Sequence, residues 1–267
     1  MTEWFAALDF PVQALLAAIF TWAVTSAGAA FVFVFREMNK NMMDAMLGFA
    51  GGVMTAASFW SLLSPAIEIA GGIWDKPWLI VCAAFLSGGM LLFIGDKIFD
   101  ILERKSVVAK VGGKMRRCLM LIFSITLHNI PEGLAIGVAF GSLAYGLEGA
   151  TLGSAVLLAF GIGLQNFPEG FAISVPLRRE GTSRFKAFAV GSLSGIVEPI
   201  ASVAGALLVT QIQFLLPILL AFAAGAMIYV VVEEIIPESQ TNAKKDLMAF
   251  FTLIGFAVMM VMDVALG

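Results

Sequence analysis

The segment from residue 151 to residue 177 reads TLGSAVLLAFGIGLQNFPEGFAISVPL. Glu169 is its one charged residue, and its 27 residues exceed the roughly 20 that a helix needs to cross a bilayer core of about 30 Å. Because the bilayer core holds no water to satisfy an open backbone, only helices and closed barrels span it. The segment therefore predicts a membrane-spanning helix with a carboxylate near its middle.

The same apolar pattern recurs along the whole chain. Of the 267 residues, 60% are hydrophobic and 13% are charged, and the mean hydropathy of +0.95 lies outside the range of soluble domains. The period-two alternation of a membrane barrel is absent. We therefore predict an all-α, polytopic membrane protein whose residues 1–267 form one transmembrane domain. Its eight predicted spans are residues 12–35, 44–63, 78–99, 117–142, 151–177, 185–208, 212–236 and 247–265.

The lysine and arginine residues predict how the helices are oriented. With the N-terminus outside and eight spans, Lys76 is the only one of the 16 basic residues that falls on the outer side. Cytoplasmic loops of membrane proteins carry an excess of basic residues. Both termini are therefore expected on the external side of the membrane.

Two segments in the middle of the chain match each other. Residues 128–136 read HNIPEGLAI and residues 165–173 read QNFPEGFAI, so six of nine positions are identical. They lie near the middle of the fourth and fifth spans, which cross the membrane in opposite directions. A pseudo-two-fold axis in the membrane plane then relates them, as in transporters built from inverted repeats. We predict a bundle of three, two and three helices with a polar site at these paired motifs.

Each motif places three polar side chains on one face of its helix, because they are spaced three and four residues apart. An unpaired carboxylate in hydrocarbon costs at least about 2.5 kcal/mol. These spans hold no lysine or arginine that would neutralise one, so the pattern favours a bound cation. Imidazole, carboxylate and amide ligands suit Zn²⁺ better than Mg²⁺ or Ca²⁺. The candidate metal ligands in the two motifs are His128, Asn129, Glu132, Gln165, Asn166 and Glu169.

Other acidic residues extend the candidate pathway. Glu198 lies in the middle of the sixth span and is a further candidate metal ligand. Glu233 and Glu234 lie toward the inner end of the seventh span, where they are candidates for an exit pathway. Glu238 and Asp263 are expected to be solvated helix ends.

Alternative readings stay open at this point. Asn and Gln within a membrane span more often join helices by hydrogen bonds than bind a ligand. The acids and prolines would also suit a cation channel or a proton-coupled carrier of another solute. An intramembrane metalloenzyme would usually need a His-Glu-x-x-His motif, and the chain has a single histidine. We therefore predict that the protein is not an enzyme and has no cofactor besides the metal ion that it carries.

The motifs HNIPEG at 128–133 and QNFPEG at 165–170, with eight spans and external termini, resemble the ZIP metal-transporter family, particularly its bacterial GufA-like branch. The resemblance implies transport of Zn²⁺, and in some members of Fe²⁺, Mn²⁺ or Cd²⁺, into the cytoplasm through a site between the fourth and fifth helices. It also implies a multi-pass protein of the bacterial inner membrane, with divalent metal ions and the lipid bilayer as partners and no nucleic acid. Glycine-rich helix faces make a homodimer a candidate assembly.

Residue by residue, the resemblance assigns two adjacent metal positions. The family's primary site is matched by His128, Glu132, Gln165 and Glu169, with Met54 of the second span resembling its sulfur ligand. A second position that shares both glutamates is matched by Asn129, Asn166 and Glu198. Many relatives have Asp in place of Asn166, so the sequence leaves open whether the chain binds one metal ion or two.

Overall fold

The structure, a computed structural model, describes residues 2–34, 39–105, 113–146, 151–179, 181–211 and 213–266. Every regular element within these ranges is a helix, which confirms the predicted all-α class. Seven helical stretches among the described residues are long and apolar enough to cross a membrane, which confirms a polytopic membrane protein. They are Phe10–Phe33, Lys40–Gly71, Pro77–Ile98, Leu152–Arg178, Arg184–Thr210, Leu216–Ser239 and Lys245–Ala265.

Twelve α-helices follow one another along the described part of the chain. They are α1 (Thr2–Ala6), α2 (Phe10–Ala30), α3 (Lys40–Ala57), α4 (Ser64–Gly71), α5 (Pro77–Lys105), α6 (Gly113–Ser142), α7 (Leu152–Arg179), α8 (Arg184–Leu193), α9 (Val197–Gln211), α10 (Leu216–Val230), α11 (Ile236–Ser239) and α12 (Lys245–Val261).

Helix α6 covers the predicted fourth span, residues 117–142, and is 30 residues long. At about 1.5 Å per residue, a helix of this length is sufficient to cross a bilayer core. Several of its side chains, from residue 113 to residue 128, lie outside the described ones. The fourth span, which would bring the number of spans to eight, therefore stays a prediction.

Short turns of other helical types interrupt three of the spans. In the second span a π-helical turn, Ser58–Leu63, joins α3 to α4, and in the seventh span another, Val231–Ile235, joins α10 to α11. In the sixth span a 3-10 turn, Ser194–Ile196, joins α8 to α9. The second span therefore continues past its predicted end at residue 63 and stops at Gly71. Such π-helical turns are rare and often lie at functional sites.

The helices pack in four close pairs, which are α2 with α7, α6 with α9, α3 with α12, and α5 with α10. Glycine permits this close approach. A Cβ on Gly28 of α2 would lie 2.0 Å from the carbonyl oxygen of Phe167, and one on Gly133 of α6 would lie 2.4 Å from that of Glu198. Helices α6 and α7 contact each other and lie at the centre of the bundle, where α6 also contacts α9 and α10, and α7 also contacts α2 and α3.

Candidate metal site

Both paired motifs lie inside continuous helices. Pro131 lies within α6 and Pro168 within α7, and neither residue ends its helix. Because proline has no N–H, the carbonyl four residues earlier has no helical donor. In α7 this is the carbonyl of Leu164, next to Gln165 of the motif. The prolines therefore add backbone oxygens beside the polar side chains.

The polar side chains of the motifs that the structure describes are completely buried. The members that the structure describes are Asn129, Glu132, Gln165, Asn166 and Glu169, each with 0% of its surface exposed. Glu198 of α9 is equally buried, whereas the side chain of His128 lies outside the described ones. Burying polar or charged groups is unfavourable unless they find partners.

Three hydrogen bonds connect the motifs to each other and to α9. Gln165 Nε2 of α7 donates to Glu132 Oε1 of α6. Asn166 Nδ2 donates to Glu198 Oε2 at 2.9 Å. Asn129 Nδ2 donates to the carbonyl oxygen of Ser194, at the turn before α9, at 3.1 Å. These bonds join the candidate ligands Glu132 to Gln165 and Asn166 to Glu198, and their role in binding a metal ion stays a prediction.

The atoms left over in this cluster are all oxygens. Five buried oxygens accept no hydrogen bond from the described residues, and each belongs to a different side chain. They are Asn129 Oδ1, Glu132 Oε2, Gln165 Oε1, Asn166 Oδ1 and Glu198 Oε1. A buried acceptor without a donor loses its hydration without compensation. Because the amide nitrogens already donate elsewhere, the cluster offers acceptors only, and a cation would satisfy such a set.

Carboxylates alone do not make this a metal site. Among the described residues, no three His, Cys, Asp or Glu side chains form a group that would hold a metal ion. Glu132 and Glu198 are each linked to an amide of α7, and Glu169 lies on α7 one turn beyond Gln165. A metal ion at the motifs would therefore need the amide oxygens as well as the acids.

Met54 lies on α3, which packs against α7. Its side chain is completely buried, and its carbonyl oxygen accepts a hydrogen bond from Ser58 Oγ at 2.7 Å. This position agrees with a thioether directed into the protein core. The role of Met54 as a sulfur ligand stays a prediction.

Thr21 is a site residue that the sequence analysis did not identify. Its hydroxyl group, at a completely buried position on α2, donates to Glu198 Oε2 at 2.5 Å and also lies 3.0 Å from the carbonyl oxygen of Ala18 in its own helix. Glu198 Oε2 therefore has two donors, Thr21 and Asn166. A threonine in an apolar span usually bonds to its own helix, so no local pattern distinguishes this one.

The candidate exit residues lie away from the central cluster. Glu233 and Glu234 are part of the π-helical turn between α10 and α11, where Glu233 is exposed and Glu234 is partly buried. Glu234 lines a cavity of about 60 Å³ together with Glu238 and Pro176 of α7. Glu238 is exposed, as predicted.

Asp263 contradicts the prediction of a solvated helix end. Its side chain is partly buried, and Oδ1 accepts a hydrogen bond from Ser61 Oγ at 2.6 Å. The prediction was wrong because the π-helical turn of the second span packs against the end of the last helix, which covers Asp263. Asp263 and Glu68 line a cavity of about 260 Å³ at the end of the bundle that the predicted orientation places outside.

A larger cavity approaches the motif of α7 from the opposite end. Its volume is about 620 Å³, and its walls include Asn39 and Lys244, which precede α3 and α12. Leu164, Phe167 and Pro168 of α7 also line it. This cavity therefore extends from residues of the predicted inner loops to the proline of the second motif.

An all-helical membrane protein with inverted motifs around a buried polar cluster belongs to the class of helical membrane transporters. Within that class the chain belongs to the ZIP zinc transporter family, since the family model described as "ZIP Zinc transporter" matches residues 103–263. This finding confirms the resemblance seen in the paired motifs.

Individual relatives align with almost the whole chain. It is 40% identical to "Zinc transporter ZIP11" of Bos taurus, over 96% of this chain and 97% of that protein. It is 36% identical to "Zinc transporter ZIPB" of Bordetella bronchiseptica, over 92% and 79%. It is 34% identical to "Zinc transporter GufA" of Myxococcus xanthus, over 95% and 98%.

Proposed function

We propose that this protein carries Zn²⁺ across the membrane into the cytoplasm and binds it between α6 and α7. The observation that carries the proposal is the cluster of five buried oxygens without donors among the described residues. These oxygens lie on and beside two inverted motifs, the arrangement expected of a transport site at the bilayer centre. Relatives named as zinc transporters support the same cargo.

The two repeats contribute one acid each, Glu132 and Glu169. The hydrogen bond from Gln165 leaves Glu132 Oε2 and Gln165 Oε1 as the acceptors that face the metal ion. A neutral imidazole from His128 and a thioether from Met54 would complete a mixed set of nitrogen, oxygen and sulfur ligands. Such a set favours Zn²⁺ and Cd²⁺ over Mg²⁺ and Ca²⁺, which prefer oxygen ligands.

The site holds one metal ion rather than two. Thr21 and Asn166 both donate to Glu198 Oε2, so only Glu198 Oε1 is available to a cation. Asn166 also contributes no negative charge, unlike the Asp of many relatives. Two divalent ions side by side would therefore be poorly neutralised, and we infer that Glu198 assists a single ion.

The proposed route of the metal ion runs through the cavities at the two ends of the bundle. The ion reaches the site from the external cavity beside Glu68 and Asp263, whose carboxylates attract cations. It leaves through the 620 Å³ cavity beside Pro168, or past Glu233 and Glu234. We place the protein in the bacterial inner membrane with both termini outside, which the distribution of basic residues supports. A homodimer stays a prediction, to be checked by light scattering on the detergent-solubilised protein.

Uptake of ⁶⁵Zn²⁺ into proteoliposomes tests the proposal. The variants Glu132→Ala and Glu169→Ala should each lose nearly all uptake, because the cation loses a charge-compensating ligand. Asp246→Ala removes an exposed carboxylate at the start of α12 and is the matched control, with uptake equal to the wild type. Undiminished uptake in both motif variants would place the pathway elsewhere. Uptake that does not saturate and shows no competition by Cd²⁺ would indicate a channel.

A further inference from the structure

The inverted repeat extends beyond the paired motifs. Residues 49–54 of α3 read FAGGVM and residues 222–227 of α10 read FAAGAM, so four of six positions are identical. Each segment is followed by a π-helical turn. After each turn a proline, Pro65 or Pro237, lies in the first turn of the next helix. The second and seventh spans are therefore related in the same way as the fourth and fifth.

Helix packing repeats with the same symmetry. A Cβ on Gly52 of α3 would lie 1.9 Å from the carbonyl oxygen of Thr252 in α12, and one on Gly225 of α10 would lie 1.8 Å from that of Phe85 in α5. The reciprocal contacts also match, with Gly255 against the Phe49 carbonyl at 2.0 Å and Gly88 against the Phe222 carbonyl at 1.9 Å. The pair of α3 and α12 is thus equivalent to the pair of α10 and α5.

The motif helices obey the same relation. Asn129 of α6 donates to the carbonyl oxygen of Ser194 in the sixth span at 3.1 Å. Asn166 of α7 donates to the carbonyl oxygen of Thr21 in the first span at 3.4 Å. The hydrogen bonds of the motif helices are therefore related by the same pseudo-two-fold axis as the glycine contacts of the outer helices.

Met54 and Met227 are equivalent under this symmetry, and both are completely buried. Each follows its glycine, Gly52 or Gly225, by two residues, which is about 200° around a helix. Gly225 faces α5, so Met227 lies on the opposite side of α10, and the helices that α10 contacts besides α5 include the motif helix α6. In the same way Met54 lies on the side of α3 opposite α12, and α3 also contacts the motif helix α7. Each methionine is therefore buried on a helix that packs against one of the two motif helices.

We propose that Met227 is a second thioether ligand of the transported metal ion, used when the protein opens to the opposite side from the state in which Met54 serves. Inverted-repeat transporters alternate by moving one repeat against the other around a fixed site. In one state a residue of the first repeat contacts the ion. In the opposite state the equivalent residue of the second repeat makes that contact. This inference rests on the proposed function, and it keeps a soft ligand near the ion in both states.

Transport kinetics with two metals of different softness test the role of Met227. Leucine has nearly the volume of methionine, so Met227→Leu removes the sulfur with little change in packing. Because thioethers favour soft ions, the kcat/KM for ¹⁰⁹Cd²⁺ relative to ⁶⁵Zn²⁺ should fall by roughly threefold or more. Met227→Cys supplies a softer thiolate and should raise the same ratio. Met262→Leu, a substitution of another buried methionine in the last helical turn of the last span, should leave it unchanged.

The outcomes separate this inference from the proposed function. A cadmium-to-zinc ratio that stays at the wild-type value in both Met227 variants would overturn the ligand role. An equal loss of both metals in both variants would also overturn it, because packing alone would then explain the effect. Uptake that survives Glu132→Ala and Glu169→Ala would overturn the proposed function, and the inference about Met227 with it.

Discussion

At the residue scale, Asn166 determines how many oxygens of the site are free to meet a cation. Its amide nitrogen donates to Glu198 Oε2, while its own Oδ1 has no donor among the described residues. An aspartate at this position would have no such donor and would place a second carboxylate against Glu198. Two carboxylates at short range are compatible only when a proton or a cation compensates them. The amide therefore favours a single bound metal ion.

We predict that Asn166→Asp raises the number of bound zinc ions from one per chain toward two. The added carboxylate supplies the charge that a second ion needs. Zinc content after gel filtration, measured by mass spectrometry, checks this expectation. Asn166→Ala removes the amide without adding charge and should not bind a second ion. One ion per chain in both variants at saturating zinc would contradict the prediction.

Thr21 is the residue whose role is visible only in the structure, and Thr21→Val is its direct test. The substitution removes one of the two donors to Glu198 Oε2, and losing a buried hydrogen bond costs about 1 kcal/mol. The apparent melting temperature in detergent should fall, and Thr21→Ser should restore it.

A matched threonine provides the control for this substitution. Thr126 is partly buried on α6, and its hydroxyl group bonds to the carbonyl of Ile122 in its own helix. Thr126→Val should therefore have a much smaller effect on melting than Thr21→Val. Equal effects of the two substitutions would show that the bond to Glu198 stabilises the protein no more than a bond within one helix.

At the element scale, close helix pairs define the framework around the site. The approach of α2 to α7 depends on Gly28, because a Cβ there would lie 2.0 Å from the carbonyl oxygen of Phe167, one residue before Pro168. Backbone atoms cannot move aside as a flexible side chain can. Any side chain at residue 28 would therefore displace the motif helix itself.

Gly28→Ala should destabilise the protein by about 1–3 kcal/mol, the usual cost of overpacking a core. It should also lower zinc uptake, because α7 carries three of the eight candidate ligands. Gly71→Ala is the control, since a Cβ on Gly71 at the end of α4 meets nothing within 4 Å. Thermal melting and zinc uptake, measured for both variants, check these two expectations. Wild-type behaviour of Gly28→Ala would mean that α2 and α7 separate easily.

The π-helical turns of the second and seventh spans are also features of this scale. Each changes the register between the two halves of its span, so the residues before and after the turn face different neighbours. Asp263 is buried by one of these turns, and Glu234 lies in the other. A hydrophobicity pattern does not reveal the extra residue of a π-helical turn. In these spans apolar residues lie on every face of the helix, so a shift of register leaves the pattern unchanged.

At the scale of the whole molecule, the buried acceptors predict that metal binding and stability are linked. A ligand that binds only the folded state stabilises it, by about 2.7 kcal/mol at one hundred times its dissociation constant. Zinc should therefore raise the melting temperature of the wild type. The double variant Glu132→Ala/Glu169→Ala should show no such rise, and Mg²⁺ should have little effect on either protein. An equal rise in the double variant would indicate that zinc binds at another place.

The sequence by itself determined the class of fold and identified the candidate site. The length and apolarity of a span are local properties, so seven of the predicted spans correspond to described helices that are long and apolar enough to cross a membrane, and residues 12–35 match Phe10–Phe33 closely. The paired motifs are local as well, because three polar residues within one helical turn and a half share a face wherever the helix lies. The resemblance to the ZIP family rested on the same residues.

Only the tertiary structure decided which groups complete the site. The bonds from Thr21 and Asn166 to Glu198, and from Gln165 to Glu132, join helices that are far apart in sequence, and helix packing alone sets their geometry. The burial of Asp263 and the extent of the repeat that links Met54 to Met227 depend on packing in the same way. These features are long-range contacts, and a chain in which nearly every residue is apolar carries little local signal of which helix faces meet.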